Sequence, residues 1–211
     1  MATLARTLPL IPPQEPRLLA APVEYSAQYQ EQYSNALRLY FNQLQNFFQL
    51  LSSNPGGAFL QFPYGAFHDT TTQTAAATGT AYAVTFNSTD LTNTVTVGSP
   101  TSRIVIGTSG VYNFQFLLQL DKASGAAGHT YIWARVNGVD IANSASEVAI
   151  QGTTAELIAA WNFVLEMHAG DYFQLMWSVD DINIQIKAVT AASPVPDRKS
   201  TRLNSSHGYI S

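Results

Sequence analysis

The chain contains no cysteine, which excludes a disulfide scaffold, thiolate zinc sites and cysteine catalysis together. Charge is scarce as well: Asp, Glu, Lys and Arg make up 11% of the 211 residues, less than half the usual share of about 25%. Basic residues are the scarcer sign, ten against fourteen acidic, for a net charge of −4. The chain therefore lacks the cationic surface with which a generic nucleic-acid binder displaces phosphate counterions. No apolar run approaches the roughly 18 residues needed to cross a bilayer. The opening MATLARTLPLIPPQEPR is cut by Pro9, Pro12 and Pro13, unlike the uninterrupted core of a secretory signal. A soluble chain outside the Sec route is the expectation.

What is present is apolar: 46% hydrophobic residues exclude intrinsic disorder. Asn, Gln, Ser and Thr take the place of charges, as in TTTQTAAATGT and NSTDLTNT, a surface suited to a particle component or an oligomer with large subunit contacts. Five of the ten prolines lie within residues 1–22, so this stretch reads as an extended arm. Leu8, Leu10, Ile11, Leu18 and Leu19 suit an arm docked on a larger body; a free tail is the alternative.

Residues 23–54 predict a helical stem. From Tyr25 to Ser53 there is no Gly or Pro, and Asn54-Pro55-Gly56-Gly57 is a helix stop. Tyr33, Leu37, Tyr40, Leu44, Phe47 and Leu51 recur at alternating spacings of four and three, the seam of a coiled coil. Such a helix would extend about 42 Å. Self-association through this seam and an amphipathic helix lying on its own domain both fit. Only Glu31 and Arg38 are charged, so flanking ion pairs cannot select a partner.

Beyond the stop the period changes to two. Tyr112 to Leu120, Ile132 to Val136 before an Asn137-Gly138 turn, and Ile182 to Ala188 alternate as half-buried strands. Shorter runs at Tyr82 to Phe86, Thr94 to Val97 and Arg103 to Ile106 bring the expectation to at least seven, and residues 58–191 to an all-β head, sandwich or barrel. Two strands carry apolar residues on both faces. Ile158, Ala160 and Val164 oppose Leu157, Ala159, Trp161 and Phe163; Tyr172 and Met176 oppose Phe173, Leu175 and Trp177. A sandwich buries one face of each sheet, so these five are candidate subunit-interface residues, with scattered exposed apolar side chains as the alternative.

GVYNFQF at Gly110 to Phe116, VNGVDI at Val136 to Ile141 and LEMHAGDYFQL at Leu165 to Leu175 resemble three ordered landmarks of the jelly-roll superfamily that includes tumour necrosis factor and the complement globular heads. The resemblance implies a mainly β fold, a jelly-roll sandwich behind an N-terminal coiled-coil-like helix, assembled as a homotrimer. The succession of Pro-rich arm, aromatic Gln/Asn-rich helix and FPYGAF and AYAVTFN leading into the head resembles structural proteins of tailed bacteriophages. It implies a virion fibre or decoration protein, assembled in the host cytoplasm and joined to other virion proteins through its arm. Unlike complement heads the chain has no cysteine, and its one acidic cluster is Asp180-Asp181, so no calcium site is carried over.

The last residues form a tail, 192–211. Within it RKSTRLNSSHGYIS, 198–211, resembles translated sequencing-adapter read-through, to be excluded from fold reasoning. Without it seven basic residues face fourteen acidic ones, a net charge of −7.

Catalytic signatures are missing. His68, His129, His168 and His207 are isolated rather than spaced as cupin ligands, and no GxSxG, HExxH, P-loop or dinucleotide fingerprint occurs. Asp121, Asp140, Glu147, Glu156, Glu166 and Asp171 could converge as a glycosidase pair, but strand-end acids serve turns as readily. Tyr131 and Trp133, with Trp177, could stack on a sugar or pack in a core or interface. No catalytic residue, metal or cofactor is expected. A host-surface glycan is a candidate partner of the head, and a free carbohydrate-binding module or a jelly-roll enzyme are the alternative functions.

Overall fold

The structure, a computed structural model, describes residues 11–52, 62–152 and 155–207. The proposed helix stop at residues 54–57, the first ten residues of the arm and residues 208–211 lie outside them. The chain divides into two compact units, residues 1–61 and 62–211.

The first unit holds α1, Ala27–Ser52. It begins two residues later than the Tyr25 expected because Ser26 caps it: its Oγ accepts a hydrogen bond from the Tyr29 amide at 3.2 Å. All six seam residues are half-buried, and Phe41 and Phe48 beside them are exposed. Residues 11–22 carry no regular secondary structure, and the Tyr29 hydroxyl donates to the Leu19 carbonyl at 3.3 Å. The arm is thus docked on its own helix rather than free.

The second unit is a mainly β sandwich. In chain order its strands are β1 (Tyr64–Asp69), β2 (Gln73–Thr74), β3 (Tyr82–Ala83), β4 (Ser88–Asn93), β5 (Val95–Val97), β6 (Ile104–Ile106), β7 (Gly110–Lys122), β8 (Gly128–Val136), β9 (Val139–Asp140), β10 (Ser146–Ile150), β11 (Glu156–Met167), β12 (Tyr172–Val179), β13 (Ile184–Ile186) and β14 (Thr201–His207). One sheet runs β11, β7, β14, β1, β4, with β13 also on β7 and β2 on β13. The other runs β10, β8, β12, β6, β5, with β3 on β12 and β9 on β8. The named strand pairs are all antiparallel. From β6 onward the chain passes β6, β7, then β8 and β10, then β11, β12 and β14 between the two sheets, the crossing pattern of a jelly roll.

The core lies between the sheets. Tyr112, Phe114, Phe116, Leu118 and Leu120 of β7 face Ile132 and Ala134 of β8 and Phe173, Leu175, Trp177 and Val179 of β12, all buried. Phe114 and Phe173 stack across the interface, ring centroids 4.1 Å apart. Asn137 and Gly138 both have positive φ (51° and 83°) between β8 and β9, as the two-residue hairpin turn requires.

The tail is where the expectation needs correction. Thr201–His207, within the stretch set aside as read-through, is an interior strand: β14 pairs with β7 along one side and with β1 along the other. The folded head therefore runs past 191 to at least His207. Leu203 is fully buried, and Thr201 and Ser205 face inward beside it. β1, β4 and β10 were also absent from the expected strands.

Candidate functional site

Two outer faces and one helix face bring the sequence candidates together, and they do so unequally. On the β7 sheet, β11 is an edge strand paired only with β7. Ile158 (63% exposed) and Val164 (48% exposed) point outward from it with Ala160 between them. The register sets Ile158 opposite Gln119, Ala160 opposite Leu117 and Val164 opposite Asn113; β14 adds Arg202 beside Leu117 and Asn204 beside Gln115. Ile158 borders a hollow with the charged Asp121, Glu156, Lys187 and Arg198, while Ala160 and Asn162 line a separate shallow concavity with Gln115, Leu117, Arg202 and Asn204. Asn162 also donates to Asn113 Oδ1 at 2.9 Å.

Tyr172 and Met176 do not belong to that surface. They point outward from the opposite sheet, so the five interface candidates do not share one face. Met176 is only 2% exposed and sits beside Trp133 in the β8–β12 register. Tyr172 lies under Arg103, whose guanidinium carbon is 4.4 Å from the ring centroid. Between them Gln174 donates to Ser102 Oγ at 2.9 Å. Over Tyr172, Gln174 and Met176 this outer face is covered by the chain itself.

Tyr131 and Trp133 share that same face, with Arg135 next along β8. Trp133 Nε1 donates to Asp140 Oδ1 at 2.7 Å, and Arg135 grips Asp140 through Nε at 2.6 Å and Nη2 at 3.1 Å. These hydrogen bonds, Arg135 first, hold the Asp140 carboxyl below its ordinary range. Tyr131, 37% exposed, lies 3.5 Å from Glu147 through its hydroxyl. The indole is thus pinned by a carboxylate while the phenol stays open to solvent, an amphipathic strip with polar groups at its margins. Trp177, by contrast, is 1% exposed in the core and offers no face to a ligand.

The Asp180-Asp181 cluster is structural. Lys122, with a fully buried side chain, pairs with Asp181, which also accepts from the Asn183 amide and side chain at 2.9 and 2.8 Å. The Lys122 hydrogen bond, ahead of the others, keeps the Asp181 carboxyl well ionised. Burial pushes the Asp180 carboxyl up, but hydrogen bonds from the backbone and ring of His129 outweigh it. His129 Nδ1 lies 2.7 Å from Asp180 and its Nε2 lies 3.6 Å from Glu147. Among the described residues no group of three or more His, Asp or Glu side chains is placed to hold a metal ion.

Of the other acidic candidates, Asp121 and Glu156 are brought together, opposite one another in the β7–β11 register and both within reach of Lys187. Asp121 accepts from Gln185 at 2.7 Å and Lys187 at 2.9 Å. Asp171 accepts from Asn137 at 2.7 Å and the His168 amide at 2.7 Å, closing the turn into β12. Glu156 lies near Lys187 and Arg198. The feature that sequence reasoning missed is the Arg135–Asp140–Trp133 knot, whose signal was the turn at Asn137-Gly138 bringing positions 135 and 140 opposite one another.

No protein-family model and no curated protein matches the chain. Among solved structures, the globular domain of the zebrafish complement 1qA protein is similar over 70% of this chain and 98% of that one, at 16% identity and a TM-score of 0.41. The fold assignment rests on the strand order itself.

Proposed function

We propose that the protein is a non-enzymatic structural component of a bacteriophage virion, a homotrimeric fibre or decoration protein whose arm and stem attach to the particle and whose β head serves host-surface attachment or capsid decoration. The observation that carries this reading is the outward apolar row Ile158, Ala160 and Val164 on the edge strand β11, together with the half-buried seam of α1. A monomer has no use for apolar groups in two such places, whereas a self-assembling particle component uses both. The near absence of charge on the stem fits permanent association rather than exchange with charged partners. Mass spectrometry of purified particles tests the structural class. A chain lacking residues 1–53 is expected to fold but to be missing from virions; its retention there would remove the role given to the arm and stem.

A second reading, a carbohydrate-binding module, is favoured by one arrangement: Tyr131 and Trp133 neighbour each other on an open strip with Glu147 and Asp140 at its margin. Aromatic faces beside hydrogen-bonding groups suit a sugar. A glycan array with the wild-type protein and Tyr131→Ala tests it: a signal that Tyr131→Ala loses supports sugar binding at this strip, and no signal with either protein removes it.

A further inference from the structure

We propose that the N-terminal arm is interchain cement: in the assembled stem it lies in the groove between two neighbouring helices, seated on its own α1 and covering the next copy's. This rests on the self-association reading above and adds to it a surface, an occupant and a register.

The seam places Tyr33, Tyr40 and Phe47 at d positions and Leu37, Leu44 and Leu51 at a positions of a heptad. One flank is then Tyr29, Ala36, Gln43 and Leu50 at g, the other Ser34, Phe41 and Phe48 at e. The structure treats these flanks differently. Leu18 and Leu19 lie beside Gln32, Tyr33 and Ala36, while Ile11 and Pro13 lie beside Gln43, Asn46, Phe47 and Leu50. The arm therefore runs antiparallel to the helix along its g side, anchored by the Tyr29 hydroxyl on the Leu19 carbonyl.

Two apolar surfaces stay largely exposed after this docking. Pro13 and Pro16 are half-buried, yet Ile11 is 77% and Leu19 61% exposed, so the arm turns a second apolar side outward. On the e flank Phe41 is 59% and Phe48 55% exposed, although their rings contact Tyr40 and Phe47. Coiled coils usually fill e and g with Glu and Lys, whose charges meet across the interface. Here e carries phenylalanine and g carries the arm. In a parallel stem the g flank of each helix faces the e flank of its neighbour. The outward side of the arm then meets the neighbour's e flank, and Ile11 sits at the level of residues 43–50, bracketed by the phenylalanines at 41 and 48. Proline fixes the arm extended in advance, which lowers the entropy lost when it is clamped between two helices.

The absence of native cysteine makes the test clean. Ile11→Cys and Phe41→Cys are prepared as separate full-length proteins, mixed, re-equilibrated and oxidised. A covalent heterodimer is expected from this pair, and none from Ile11→Cys mixed with Asn42→Cys on the back of the helix; Phe48→Cys replaces Phe41→Cys if the latter loosens the stem. Deleting residues 1–22 is expected to weaken association by about tenfold or more in a dilution series. Wild-type chains that assemble while the Ile11–Phe41 and Ile11–Phe48 pairs give no product, or an arm deletion that leaves association unchanged, would overturn the proposal and spare the assembly reading. A wild-type chain that stays single at micromolar concentration would remove both.

Discussion

The two sheets of the head carry similar excesses of apolar residues on their outer faces but deal with them in opposite ways. On the β8 sheet Met176 is buried beside Trp133, Tyr172 lies under Arg103, and Gln174 is bonded to Ser102. On the β7 sheet Ile158 and Val164 have nothing comparable over them among the described residues and remain 63% and 48% exposed. An apolar residue on an outer strand face is thus not evidence of a partner until the chain's own loops and neighbouring strands have been counted. The row Ile158, Ala160 and Val164 on the β7 sheet is where the account stays open, and this gives the assembly reading its location.

The largest effect that separates the sheets is expected from truncation. A chain ending at Asp197 loses β14, leaving β7 and β1 with facing unpaired edges and opening the core beside Phe114 and Phe116. The β7 sheet should lose its continuity while the strand pairs of the β8 sheet are untouched. Loss of cooperative thermal unfolding in the truncated protein, with residual strand signal by circular dichroism, is the expected outcome. A sharp wild-type transition would mean that β14 contributes little.

Next in size is Asp181→Asn. It strands the buried Lys122 ammonium at the end where β7 meets the β12–β13 turn. Removing one partner of a buried pair costs about 3–5 kcal/mol, and because Asp181 is itself 24% exposed we expect about 3 kcal/mol in urea unfolding at neutral pH. The sign with pH follows from the depressed carboxyls of Asp140, Asp171, Asp180 and Asp181. Their stabilisation is present above the unfolded carboxyl range near pH 4 and is lost as pH falls through the lower folded values. Wild-type stability should therefore fall below about pH 4, with a shallower slope in Asp181→Asn.

The sharpest test of the comparison is a matched pair. Met176→Ala empties a closed site on the β8 sheet and should cost about 2–3 kcal/mol in the unfolding of the head without changing its association. Ile158→Asn on the β7 sheet should change the stability of a single subunit by no more than about 0.5 kcal/mol but weaken self-association by about tenfold, read by light scattering. Reversal of the two phenotypes would exchange the roles of the faces.

The parts of this design that were legible in the sequence are those where large apolar residues keep time. The period-two runs at 112–120 and 172–179 and the three–four spacing from Tyr33 to Leu51 each fall on buried or half-buried positions. β4 and β10 escaped because STDLTN and SEVAI carry few large apolar groups. They are edge strands, and their pairing is set by neighbours rather than by their own side chains. β14 escaped because its stretch was set aside as read-through, and its own pattern offered little against that: of its three inward residues, only Leu203 is large and apolar. Nor could periodicity say that the outer residues of β12 would be covered, because Ser102 and Arg103 are distant in sequence and reach it only through β6.

That weakness in β14 sets the smallest prediction. Thr201 Oγ1 in the β7 sheet and Thr130 Oγ1 in the β8 sheet are both buried without a hydrogen-bond partner among the described residues. Valine has nearly the shape of threonine and no hydroxyl, so each substitution removes a desolvated polar group without opening a cavity. Thr130→Val and Thr201→Val should each raise the unfolding free energy by about 1 kcal/mol. Equal gains would mean that β14 is held as tightly as β8. A gain at position 130 with none at 201 would mean that water reaches the inner side of β14, so that the β7 sheet is the looser of the two inside as well as the more open outside.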